Sequence, residues 1–243
     1  MNEIRITDVT KTYETKEKHT VVNHLSLTIP QGTVFGFLGP NGAGKTSTIK
    51  MLVGLSLPTS GTISILGGTP HDIEVRKQIG FMPESPAFYL YLTGREFLEF
   101  VANIFKLHNP SRHIETVLSE VELTHAQNRQ IRTYSKGMLQ RLGLAQALIN
   151  NPKILFLDEP LDGLDPLGRS EVKKIIVKLK TQGKTIFFNS HILGDVAEIC
   201  DTVGIIDKGH LIAHDTPSAL ALGYKDLEDA FVHIVEKSRQ TKK

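Results

Sequence analysis

Short apolar runs separated by polar turns fill the first third of the chain: Ile4 to Val9, Val21 to Ile29 and Val34 to Leu38, with Pro30-Gln-Gly32 between the last two. Runs of that length bounded by turn residues predict strands. A helix is expected from Ser47 to Leu55, and a further strand over Gly61-Thr-Ile-Ser-Ile-Leu66, closed by Gly67-Gly68. From Pro86 to about Asn150 the spacing becomes helical. Thr93, with Glu96 three residues on, makes a capping box ahead of Phe97, Phe100, Val101 and Ile104, which are spaced for one buried helix face. Another helix is expected after Ser135, with Met138, Leu139, Leu142, Ala145 and Leu148 inward. Strands return at Ile154 to Leu157, Thr185 to Phe188 and Val203 to Ile206. Between the first two, Asp165 and Pro166 read as the N-cap and first-turn proline of a helix running toward Gln182. The alternation predicts an α/β fold with a parallel sheet, interrupted by an all-helical insertion. The tail from Lys237 to Lys243 is polar and expected to fray. There is no internal repeat and no low-complexity linker.

With 243 residues the chain makes one large domain or two small ones, long enough for a substantial core. A 40% hydrophobic and 22% charged composition is that of an ordinary soluble protein, and a net charge of +2 gives no footprint for nucleic acid, which is not expected as a partner. The single cysteine, Cys200, cannot make an internal disulfide, which favours the cytoplasm. The start, Met1-Asn-Glu-Ile-Arg-Ile-Thr-Asp, has no long apolar core, so an ordinary signal peptide is not expected. No apolar run approaches the roughly 18 to 20 residues that span a bilayer, so any membrane role is expected to come through another chain.

The chemistry begins at Gly39-Pro40-Asn41-Gly42-Ala43-Gly44-Lys45-Thr46, followed by Ser47, directly after the predicted strand Val34 to Leu38. This fits the phosphate-cradling pattern G-x-x-x-x-G-K-[ST]. Backbone N–H groups must curl around an anionic phosphate, and Gly42 and Gly44 let the main chain approach that closely. Lys45 supplies a point charge for the β/γ oxygens, Thr46 a hydroxyl for Mg2+, and the following helix turns its positive end to the phosphates. A glycine-rich turn without chemistry is the competing reading, and the Lys-Thr pair after a strand argues against it. Ile154-Leu-Phe-Leu-Asp158-Glu159 then delivers two carboxylates at a strand's carboxyl end, where α/β sheets place their ligands. Asp158 is the candidate Mg2+ holder and Glu159 the candidate general base that orients the attacking water. For an isolated Asp-Glu pair, a solvated acidic strand end would be an equal alternative.

In this arrangement the chain resembles the ATP-binding cassette (ABC) ATPases over nearly its whole length. Tyr134-Ser135-Lys136-Gly137-Met138, followed by Leu139-Gln140-Arg141, stands where that family places its Leu-Ser-Gly-Gly-Gln signature; Ser135 and Gly137 match, and Tyr134, Lys136 and Met138 depart. On the bare residues, Ser-Lys-Gly at a helix start more often means simple capping. The resemblance instead implies that Ser135 and Gly137 bind the γ-phosphate held by a second copy, in a head-to-tail homodimer. Leu161-Asp162-Gly163-Leu164-Asp165 resembles the family's D-loop, with Asp162 where a small hydroxyl residue is common. Ser190-His191 resembles the switch histidine that touches the γ-phosphate, and Tyr13 stands where an aromatic stacks on adenine; without the family context it would be an ordinary strand-end tyrosine. Glu84, in Ile79-Gly-Phe-Met-Pro-Glu84, departs from the Gln of many relatives and is expected to approach Mg2+ and the attacking water, so it is both a catalytic and a metal candidate.

The resemblance implies one ATP-binding domain over residues 1–243, with a RecA-like parallel-sheet core, an N-terminal antiparallel β-subdomain and an α-helical subdomain inserted at about 86–150. It also implies ATP hydrolysis with Mg2+, coupled to transport through a separate transmembrane permease, and a cytoplasmic location on the inner face of the cell membrane. Glu84 and the Ser-Lys-Gly-Met signature resemble the subset that drives small exporters of drugs, polysaccharides or lipids. Seven of the sixteen aromatic residues lie between Phe81 and Phe105, and Phe88, Tyr89 and Tyr91 fall in an expected loop where a permease helix could dock. Two alternatives differ in class. A non-transport relative acting on ribosomes or DNA would carry two cassettes or a long coiled coil. A P-loop kinase or GTPase would lack Ser135 and the Ser190-His191 pair.

Overall fold

The computed structural model describes residues 2–14 and 18–241. Strands β1 (Asn2–Glu14) and β2 (Lys18–Pro30) form a long antiparallel pair, followed by β3 (Val34–Leu38), α1 (Lys45–Leu52), β4 (Ser60–Ile65), α2 (Ile73–Arg76) and β5 (Ile79–Met82). Next come α3 (Gly94–Ile104), α4 (Pro110–Glu120) and α5 (Lys136–Leu148). The chain then alternates β6 (Ile154–Asp158), α6 (Pro166–Thr181), β7 (Thr185–Asn189), α7 (Leu193–Ile199) and β8 (Thr202–Asp207), and ends with β9 (His210–Asp215), α8 (Pro217–Leu220) and α9 (Leu227–Thr241).

Two sheets result. One has the order β2-β1-β4 and is antiparallel; the other has the order β5-β6-β7-β3-β8-β9, parallel except for β9. Strands β3, β6 and β7 are buried throughout, as their unbroken apolar sequences require of strands covered on both faces. Alternate residues serve opposite layers. Phe35, Phe37, Phe156 and Phe187 face the antiparallel sheet and stack about Phe187 with ring centroids 5.3–5.8 Å apart, whereas Leu155, Leu157, Ile186 and Phe188 face the helices. This topology brings the carboxyl ends of β3, β6 and β7 side by side, the place where such sheets hold ligands. At Gly36 a Cβ would stand 2.9 Å from Cys200 Sγ, so the glycine lets α7 close on β3. Burial, and then the Asp201 carboxylate, push the Cys200 thiol well above its usual pKa.

The strand assignments, the helical insertion and the Asp165 cap all appear; Asp165 Oδ1 accepts from Gly168 N at 2.8 Å. The capping box at Thr93 is present with both reciprocal bonds. Three expectations need correction. The buried face of α3 carries Phe97, Leu98, Val101 and Ala102, while Phe100 and Ile104 are exposed, because the packing partners α4 and α5 lie one position around the helix from the face assumed. Helix α1 spans Lys45–Leu52 rather than 47–55, and Gly54, at φ 71°, lies just past its C-terminal end. The tail is helical to Thr241, tied by Arg239, which donates to both oxygens of Asp207 at 2.9 Å; Lys242 and Lys243 lie outside the described residues. The sequence pattern does not predict strands β5 and β9 or helices α2, α7, α8 and α9.

Candidate nucleotide site

A cavity of about 470 Å³ opens above the sheet's carboxyl edge, lined by Asn41, Gly42, Gly44, Lys45, Thr46 and Ser47 from the loop after β3, with Glu84, Glu159, Asp162 and His191 opposite. The loop is shaped by its glycines. Gly42 and Gly44 have φ of 78° and 112°, and a Cβ on Gly44 would stand 2.4 Å from the Val21 carbonyl oxygen. Helix α1 starts at Lys45 with no side-chain cap and no acidic residue in its first turn, so its terminal N–H groups and positive dipole end are left for an anion. Lys45 Nζ donates to the carbonyls of Gly39 (2.7 Å) and Pro40 (3.3 Å). Burial pulls its pKa below the usual value, against the opposing pull of Glu159, Asp158 and Glu84.

The carboxylates are held differently. Asp158 ends β6, is 3% exposed, and accepts from Asn189 Nδ2 at 2.5 Å. Burial, followed by the Glu84 and Glu159 charges, pushes its carboxyl up to about 6. Glu159 adopts φ 50°, an uncommon conformation for a residue with a side chain, and its Oε2 accepts from His191 Nδ1 at 2.9 Å. The other imidazole nitrogen lies 3.7 Å from Asp162 Oδ1, so His191 stands between two carboxylates.

These residues suit Mg-nucleotide chemistry. The donor set is a hydroxyl and carboxylates, the hard oxygens Mg2+ prefers. Among the described residues no group of three His, Cys, Asp or Glu side chains is arranged as a metal site. Mg2+ commonly keeps several waters and takes one or two carboxylates together with substrate phosphate oxygens, a demand these donor types can meet.

Ser135 and Gly137 do not join this cavity. They line a separate one of about 440 Å³ with Lys136, Arg141, Gly163, Leu164 and Asp165. Ser135 Oγ accepts from Met138 N at 3.2 Å and so caps α5. Lys136 extends across Gly163, where a Cβ would fall 1.6 Å from its Nζ. A Cβ at Gly137 would meet nothing nearer than Leu164 Cδ2 at 4.0 Å, so no contact within the chain demands glycine there. The departure at Tyr134 is structural: its buried hydroxyl donates to the Ala126 carbonyl at 2.8 Å and lies where a Cβ on Gly94 would go.

Tyr13 is not among the residues lining the phosphate-loop cavity; the Lys11 ammonium sits 4.8 Å from its ring centroid. His19, opposite Tyr13 in the β1–β2 register, lines the cavity instead, together with Val21. Sequence reasoning missed His19 and Asn189, because each is recognised only once strands are paired.

A phosphate-loop α/β fold with two carboxylates at the carboxyl end of β6, one strand removed from the loop's own β3, defines a nucleoside-triphosphate-binding protein. Residues 22–162 match the ABC transporter family, and this chain belongs to it as an ATP-binding member. It is 46% identical to an uncharacterised ABC transporter ATP-binding protein of Nostoc, covering 86% of this chain and 65% of that protein, and 44% identical to the bacitracin transport ATP-binding protein BcrA of Bacillus licheniformis, covering 86% and 68%. The chain thus spans about two thirds of the length of these relatives. A solved ATP-binding subunit of an ABC transporter superposes with a TM-score of 0.83 at 28% identity, covering 96% of this chain and 99% of that one. A dimeric, post-hydrolysis ATP-binding cassette bound to ADP and Pi does so with 0.79 at 25% identity, covering 88% and 98%. Among the described residues no helix is long and apolar enough to cross a membrane.

Proposed function

We propose that the chain hydrolyses ATP as the energy-supplying subunit of an exporter, one ATP-binding domain with the helices from α3 to α5 as an inserted subdomain. The observation that carries this is the division of the machinery between two separate cavities of one chain, one with Lys45, Glu159 and His191, the other with Ser135 and Gly137. A head-to-tail pair of copies unites them into two complete sites. The dimeric relative and the transport-named relative support that reading.

In such a site the loop from Gly39 to Ser47 and Lys45 bind the phosphates, while His19 and Val21 border the entrance and Tyr13 stays nearby. Thr46, Asp158 and Glu84 would hold Mg2+, which neutralises phosphate charge when bound. Glu159 orients the attacking water and accepts its proton. For that, its carboxylate must leave His191 Nδ1, freeing the imidazole to turn to the γ-phosphate. Ser135 and Gly137 of the second copy contribute the helix N-terminus that faces the same phosphate.

A separate permease fits the apolar surface of the helical layer. Tyr89, Tyr91, Phe100 and Ile104 are exposed there, and a cavity of about 360 Å³ beside them is lined by Leu55, Phe81 and Phe105. Through that permease the chain sits at the cytoplasmic face of the membrane.

The test is Glu159→Gln. The amide keeps the shape but accepts no proton, so hydrolysis falls by about 10²–10⁴-fold while Mg-ATP binding persists and a dimer accumulates in size-exclusion chromatography. Adding Ser135→Arg removes that dimer without removing ATP binding. Hydrolysis at the wild-type rate would exclude Glu159 as base.

A further inference from the structure

Asn189 closes β7 two residues before His191 and is wholly buried. The parallel register sets it opposite Asp158, the last residue of β6, and its Nδ2–H donates to Asp158 Oδ1. An ionised carboxylate only accepts, so this bond fixes which way the amide points. Its own Oδ1 is then left shielded from solvent with no hydrogen-bond partner. An orphaned buried oxygen destabilises a fold, and each such atom in a native protein calls for an explanation. Packing does not provide one. The preceding residues Ile186, Phe187 and Phe188 are all apolar, and a residue of that kind would fill the position without leaving a bare acceptor.

We propose that Asn189 is a positioning residue for the divalent cation of the nucleotide site. Its Nδ2–H holds the Asp158 carboxylate in one orientation, and its Oδ1 accepts a hydrogen from a water in the cation's shell. Partners behind a metal-holding side chain commonly fix its orientation in this way. The inference rests on the reading that Thr46 and Asp158 hold Mg2+. It adds a group outside the phosphate loop and the carboxylate pair, carried on the strand that leads to His191, so cation binding and the placing of that histidine share one element.

The experiment uses the full chain with a fluorescent non-hydrolysable ATP analogue, bound first in chelator and then titrated with Mg2+. Asn189→Leu raises the half-saturating Mg2+ concentration by about 10–100-fold and leaves analogue affinity in chelator unchanged. Asn189→Ser, which is smaller and keeps a donor and an acceptor, recovers part of that shift. Folded variants whose Mg2+ curves superimpose on wild type overturn the proposal, as does an equal loss of affinity in chelator, which marks general damage to the site. If the leucine variant does not fold, the serine variant decides alone, and an unshifted curve overturns the proposal. A wild-type protein whose analogue binding ignores Mg2+ removes the metal reading itself. Wild-type dependence with unshifted variants removes only the role of Asn189.

Discussion

The two cavities that carry the proposed chemistry are built on opposite principles. The phosphate-loop cavity gathers charge around a buried base: Lys45 lines it and is buried, Asp158 behind it is buried too, and Glu84 and Glu159 stand near both. The Ser135 cavity rests on a helix start whose serine already caps its own helix, with an exposed lysine lying over a glycine. The first crowds three carboxylates about one buried lysine, whereas in the second Ser135 already has a backbone partner and Arg141 Nε is buried without one. A bound nucleotide should therefore change the stability of the first region, and only a second surface should change the second.

The largest expected effect is at Lys45. Removing its charge with Lys45→Ala leaves the phosphates facing three carboxylates, and binding should weaken by about 2–5 kcal/mol in calorimetry. Equal affinity in the variant would mean that the loop is not the phosphate site.

Asp158 tests the crowding directly in metal-free, nucleotide-free protein. Its carboxyl is raised to about 6 in the fold against an ordinary 3.8, so the folded state binds the extra proton between those values. Its contribution to stability is therefore favourable at low pH and is lost as pH rises from about 4 through 6. Asp158→Asn should stabilise this form by about 2 kcal/mol at pH 8 and by little at pH 4, read by denaturant unfolding in chelator. A pH-independent difference would show that the charge is already compensated.

The smallest effect belongs to the Ser135 cavity. Ser135→Ala removes one cap, so stability should fall by about 1 kcal/mol. Nucleotide affinity of the separate monomer should not change, while the ATP-dependent dimer weakens. A loss of monomer affinity would join the two cavities in a way their separate walls do not.

Much of the fold and of the phosphate loop is legible in the sequence, because the informative signals are local. The phosphate loop, the Thr93-Glu96 box and the Asp165-Pro166 helix start each lie within a few residues, and local hydrogen bonding decides them. The α3 face was misassigned because periodicity gives the width of an apolar stripe and not which edge of it the neighbours cover; Phe100 instead meets the exposed Tyr89 ring edge-on at 5.6 Å. His19 and Asn189 depend on pairings between strands. No spacing rule connects Asp158 to a residue 31 positions on; only the parallel alignment of β6 and β7 does.

The close fit of α7 on β3 has a practical consequence for studying the proposed dimer. The one native cysteine is seated against Gly36, and its thiol is held well above the usual pKa, so little thiolate exists at neutral pH to react with maleimides or to oxidise. A cysteine introduced at an exposed position such as Leu167 would then be the dominant labelling site without prior removal of Cys200. Paired spin labels or fluorophores placed there would report the approach of two copies on a wild-type background.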